Sequence, residues 1–169
     1  MPSFCFFNCT TDKVLKIKKK SGEKNRFFEK SGGYSIIPPE KWQVAEVPGY
    51  KYKALVGQKE NDAVPSIGFA VEMFKGRLKE FVDLIIKKIK NVLGETFLLL
   101  QRDSFVTSKN IKGERIIINI TLGQRLRQCY YFFPGKKNKI IQIVCTVPAS
   151  SGNLYDEMFY NSMKTLEIK

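Results

Sequence analysis

Any chemistry here has to be sought in cysteines, acids, lysines and arginines, because the 169 residues include no histidine. Imidazole is the commonest general base, the commonest zinc ligand and the physiological pH switch. Without it, Ser-His and Cys-His nucleophile pairs cannot be assembled. The cysteines are Cys5, Cys9, Cys129 and Cys145; no C-x-x-C occurs, and their spacing matches no structural zinc module. Neither a metal nor a cofactor is therefore expected. Asp103 lies between Arg102 and Ser104, and Asp156-Glu157 opens a short helical pattern, where acids suit the helix dipole. No two of these acids are placed to act as an acid–base pair. The residue types exclude the common catalytic routes and point to a non-enzymatic binding module.

The bases carry more information. Lys and Arg number 29 against 16 Asp and Glu, a formal charge of +13, and the excess is spread along the whole chain. Such a surface attracts anionic partners. Arg125 and Arg127 stand two apart in a strand-like run, so they share one face. With Lys136, Lys137 and Lys139 they make the candidate basic surface. Tyr130 and Phe132 fall on the opposite face. A single-strand binder needs bases and aromatics on one exposed face, so this parity counts against specific nucleic-acid binding. The expected partner is a protein with an acidic face. The alternatives are an anionic membrane surface and a general polyanion.

Cys9 stands at a junction. Phe6-Phe7-Asn8 precedes it, and Thr10-Thr11 and the basic run Lys16-Ile17-Lys18-Lys19-Lys20 follow. An apolar patch that ends in cysteine and passes into a polar linker resembles the end of a bacterial lipoprotein signal. That reading makes Cys9 the lipidated residue, residues 1–26 a leader and tether, and the cell envelope the compartment. Met1 to Asn8 lacks a charged n-region and is short. The rival reading keeps Cys9 as an ordinary thiol in a cytoplasmic adaptor. No run approaches the roughly 18 apolar residues that cross a bilayer.

The elements that position these residues follow from periodicity. Leu78, Phe81, Val82, Ile85, Ile89, Val92 and Leu93 make one apolar stripe of a helix, with Gly94 as its C-cap. Lys79, Asp83 and Lys87 line the opposite face at pairing distance. Strand patterns are expected at Tyr34–Ile37, Gln43–Val47, Lys51–Val56, Ile67–Phe74, Phe97–Gln101, Ser104–Thr107, Arg115–Leu122, Arg125–Phe133 and Lys139–Val147. Pro134–Asn138 joins the last two as a hairpin. Pairing Phe133 with Lys139 would set Cys129 opposite Ile143 and diagonal to Cys145, awkward for a disulfide. Two buried free thiols are expected. Asn153 caps a final helix with Tyr155, Met158, Phe159 and Ser162 on one face. The pattern predicts an α+β fold, an α/β/α sandwich whose central antiparallel sheet is covered by helices.

Gly33-Tyr34-Ser35-Ile36-Ile37-Pro38-Pro39-Glu40-Lys41-Trp42 resembles the opening of the PsbP-like superfamily, a glycine–aromatic–hydrophobic run that leads to Pro and Trp. That group includes a photosystem II extrinsic subunit, a bacterial envelope protein and a yeast Ran-binding protein. Tyr155 to Ser162 with Leu166-Glu167-Ile168 resembles its ending, although Lys164 and Thr165 intervene. The likeness spans residues 27–169. It implies an α/β/α sandwich acting as an accessory or binding subunit without catalysis. The ion sites of photosynthetic members use histidine and carboxylates; this chain has no histidine, so no ion site is carried over.

Overall fold

The computed structural model describes residues 25–59 and 64–169, together with the backbone of residues 14 and 15. The main sheet has eight strands, every neighbouring pair antiparallel. They are β1 (Val14–Leu15), β4 (Gln43–Ala45), β5 (Ala54–Val56), β6 (Ser66–Met73), β10 (Lys139–Pro148), β9 (Gln124–Pro134), β8 (Lys112–Leu122) and β7 (Leu98–Val106), in that spatial order. A small second sheet is made of β11 (Glu167–Ile168), β3 (Tyr34–Ile36) and β2 (Phe27–Glu29). Among the described residues two α-helices complete the fold, α1 (Leu78–Leu93) and α2 (Asp156–Lys164).

Two cores lie on opposite faces of the main sheet, because the long central strands bury both of their alternating side-chain sets. On one face, Phe81, Val82, Ile85 and Ile89 of α1 pack on Ile116, Ile118, Tyr130, Phe132 and Val144. On the other, Phe159 and Met163 of α2 join Trp42, Phe69, Ile117, Cys129, Tyr131 and Phe133. This is the three-layer α+β sandwich that the pattern predicts.

The residues that carry the family resemblance hold this second layer together. Pro39 O accepts the Trp42 N–H at 3.2 Å, closing a tight turn, and Trp42 meets Phe159 edge-on at 5.8 Å. Ser162 Oγ donates to Ile37 O at 2.6 Å, and Ile37 N–H donates to Thr165 Oγ1 at 2.7 Å. Arg26 donates to Ser35 Oγ and Thr165 O and pairs with Glu167. The opening motif and the chain's last helix and strand are therefore bonded to each other, and Arg26 is bonded to both.

Several expectations change. β7 is one strand through residues 98–106, with a bulge between Leu99 and Gln101. Asp83 pairs with Arg102 of β7 and not with Lys79 or Lys87. Val92 lies on the helix's apolar stripe but is exposed at the end of α1. α2 starts at Asp156, with Tyr155 as N-cap, and Asn153 serves the preceding turn as acceptor from the Asp156 N–H. Met158 is exposed. The β9–β10 register is shifted by two from the expected one, so that Phe133 pairs with Ile141 and Cys129 with Cys145. Val14–Leu15, inside the segment read as a tether, pairs with Val44 and Ala45. Cys9 and the Lys16–Lys20 run lie outside the described residues.

Candidate docking surface

The expected basic surface is divided. Arg125 is exposed at the start of β9, while Lys136 and Lys137 are exposed beyond its end. At about 3.4 Å per residue the strand separates them by about 35 Å. Arg127 shares its strand face with Cys129, Tyr131 and Phe133, which are core residues. Its guanidinium is bound to Asp156 in a bidentate pair, Nε–Oδ1 at 3.2 Å and Nη2–Oδ2 at 2.6 Å. Lys139 donates to Ser31 O at 3.1 Å. Arg127 is thus a structural residue, and the five bases form no single patch.

The same division of labour holds elsewhere. Arg115 makes a bidentate pair with Asp103, at 3.0 and 2.5 Å, and Arg102 bridges Glu114 and Asp83. Asp103 holds the Arg115 guanidinium above its ordinary pKa and Asp156 does the same for Arg127, while burial opposes both shifts. Asp103 is therefore engaged as a strut between β7 and β8. Among the described residues, Lys53 and Lys109 are the lysines with ion pairs. Among the described residues, the cations without an ion pair are mainly lysines.

Cys129 and Cys145 are free and buried. Burial first, then nearby Asp156, pushes the Cys129 thiol up to about 12, and burial raises Cys145 as well. A reactive cysteine needs its thiolate, so neither is poised as a nucleophile. Among the described residues no cluster of three His, Cys, Asp or Glu could hold a metal.

An exposed apolar surface appears where the sequence did not point. β7 is the edge strand beside β8, and three consecutive leucines, Leu98, Leu99 and Leu100, are 54%, 39% and 43% exposed on it. The bulge places Leu100 outside the ladder, with Leu99 opposite Ile118 and Leu98 opposite Asn119, so leucines project on both faces of the edge. Arg102 reaches from β7 to Asp83 and to Lys79 O, which fixes α1 alongside the strand. Leu84 and Val92, 45% and 62% exposed, are further exposed apolar residues of α1. Residues 84–100 hold Lys87, Lys88 and Lys90 against Glu95. Lys87 and Lys90 are exposed, while Lys88 faces Glu72. β7 thus presents an exposed apolar edge, and α1 carries exposed lysines. Read from sequence, Leu98-Leu99-Leu100 is an apolar run without alternation, which fits a buried strand equally well.

A second concavity of about 380 Å³ is lined by Glu46 to Pro48 and Tyr50 to Lys53. There β5 has diverged from β6, and the Tyr50 and Tyr52 hydroxyls donate to Phe69 O and Val71 O. They cap carbonyls that a neighbouring strand would otherwise use. The alternating Tyr-Lys-Tyr-Lys at 50–53 was its sequence signal.

The geometry defines a histidine-free, three-layer α/β/α domain with an exposed apolar edge. No protein-family model and no curated protein sequence matches the chain. Solved structures do match. It is similar to the solution structure of cyanobacterial PsbP (CyanoP) from Synechocystis, with a TM-score of 0.62 and 10% identity over 92% of this chain and 99% of that one. It is similar to LpqN, a protein involved in cell envelope biogenesis of Mycobacterium tuberculosis, with a TM-score of 0.64 and 10% identity over 80% and 83%. PA94 from Pseudomonas aeruginosa gives 0.55 and 11% over 82% and 99%. The chain has the PsbP-like fold.

Proposed function

We propose that the chain is a non-enzymatic accessory module that docks a partner protein along β7 and the adjoining flank of α1. The observation that carries this reading is the exposed Leu98–Leu100 edge, with Lys87 and Lys90 exposed on α1 and without an ion pair among the described residues. The occupant it fits is an extended apolar segment flanked by Asp or Glu. Such a segment gains main-chain hydrogen bonds from an edge strand and side-chain burial from the leucines. Lys87 and Lys90 supply charge complementarity, which sets orientation and association rate more than affinity. The absence of histidine and the structural engagement of Asp103, Arg115, Arg127 and Asp156 support a binding role over catalysis.

The envelope reading belongs to the same proposal. The likeness to LpqN supports it, with Cys9 as the attachment point. Among the described residues no helix is long and apolar enough to cross a membrane. A mature protein carrying acyl mass on Cys9, with residues 1–8 removed, supports the anchor; an unmodified Cys9 behind an intact Met1 refutes it and favours a cytoplasmic adaptor. Docking is tested by a photoreactive residue at Leu99. A heteromeric adduct lost in the Lys87→Glu, Lys90→Glu variant is expected. A dimer-sized adduct would replace the partner with a second copy.

A further inference from the structure

Cys129 and Cys145 are paired residue to residue across β9 and β10, on the face that meets α2. The type of pair can be read from the ladder ends. Gly135 N–H donates to Lys139 O at 2.7 Å, and Phe74 N–H donates to Asn138 O at 2.8 Å. Odd-numbered residues of β10 therefore bond to β9, and even-numbered ones to β6. Cys145 with Cys129 is thus a hydrogen-bonded pair, whose Cα atoms in such ladders lie about 5.5 Å apart. That separation is the commonest one for disulfides. The Cβ atoms of such a pair sit about 1 Å wider than a relaxed disulfide uses, so a bond here is made under strain and is more easily reduced.

From this geometry we infer that Cys129 and Cys145 form a reducible cross-strand thiol–disulfide couple. A small-molecule disulfide such as oxidised glutathione is the oxidant. One cysteine thiolate attacks it, forming a mixed disulfide and releasing one glutathione thiolate. The second cysteine then displaces the other glutathione, closing the Cys129–Cys145 bond. Two protein thiols are oxidised and one oxidised glutathione becomes two reduced ones. Both sulfurs are buried in the folded chain, so exchange takes place while the hairpin is open, during folding or local unfolding. Closure also removes the thiol hydrogen that Cys129 Sγ donates to Asp156 Oδ1 at 3.6 Å, leaving that carboxylate to Arg127 alone. This inference is independent of the docking surface.

The test uses the full chain, unfolded with reductant and refolded in oxidised glutathione, then alkylated, digested and mapped by mass spectrometry. A peptide containing Cys129 joined to one containing Cys145, reopened on transfer to reduced glutathione, is expected. Alkylation of both residues, their joining to Cys5 or Cys9, or a link that resists reduced glutathione would overturn the inference. The mapping is done on the parent chain and does not depend on a variant that folds.

Discussion

Replacing Asp156 by Ala would strip Arg127 of its partner at the point where α2 is fastened to the sheet. The side chains of Arg127 and Asp156 are 13% and 23% exposed, and they share two hydrogen bonds. Breaking a fully buried ion pair costs about 3–5 kcal/mol, whereas exposed pairs are worth about 0–1. This pair lies nearer the buried limit but keeps some solvent. Asp156 also sits in the first turn of α2, where an acid adds a few tenths of a kcal/mol. The expected loss is about 2–3 kcal/mol. For a chain of this size that lowers the melting temperature by about 4–12 °C. Urea unfolding followed by circular dichroism reads it as a lower midpoint at unchanged slope. The double variant Arg127→Met, Asp156→Leu should recover most of the loss, because the cost lies in the orphaned charge. An Asp156→Ala protein as stable as the parent, or strictly additive losses in the double variant, would refute the reasoning.

Ile85→Asp would place an unpaired carboxylate under α1, where Ile85 is 3% exposed, and should cost more than about 4 kcal/mol and unfold the domain in a thermal melt. The Cys129 thiol, held at about 12 in the fold against 9.0 ordinarily, favours the neutral form. Its contribution is complete below the unfolded value and is lost as pH rises from about 9 towards 12. Unfolding free energies from urea curves in reductant should fall over that window by up to about 1.4 kcal/mol per pH unit for this thiol, and Cys129→Ala should flatten the slope. Labelled single-stranded DNA should bind weakly at low salt and lose most of its affinity at about 0.2 M, by counterion release. Binding that persists there would favour a nucleic-acid partner.

What the sequence made legible was whatever rests on local period. The stripe of α1 was readable at Phe81, Val82, Ile85 and Ile89, because i, i+3 and i+4 spacing leaves few alternatives. It misled at Val92, since the stripe cannot tell where the covering sheet stops. The strands β8, β9 and β10 were readable by composition, but their hairpin register was not. Pro134 looks like a loop residue. Yet it belongs to the set whose backbone groups do not bond to β10, so the strand runs through it and its missing N–H costs that ladder nothing. The loop then closes with Lys137 and Asn138 at positive φ, a conformation that lysine does not advertise. The basic surface failed for a different reason. Parity correctly put Arg125 and Arg127 on one strand face, but Asp156, far away in sequence, claims Arg127. Whether Leu98–Leu100 lies at an edge or in the centre depends on strand order, which no local pattern encodes.

The central claim is that β7 and α1 form the docking face, and photo-crosslinking in the native cell tests it most directly. A photoreactive residue is placed at Leu99 in one strain and at Arg125 in another. The account predicts a single heteromeric adduct from Leu99, with a partner peptide rich in Asp or Glu, abolished by Lys87→Glu with Lys90→Glu, and none from Arg125. Adducts from Arg125 with Leu99 silent would contradict it.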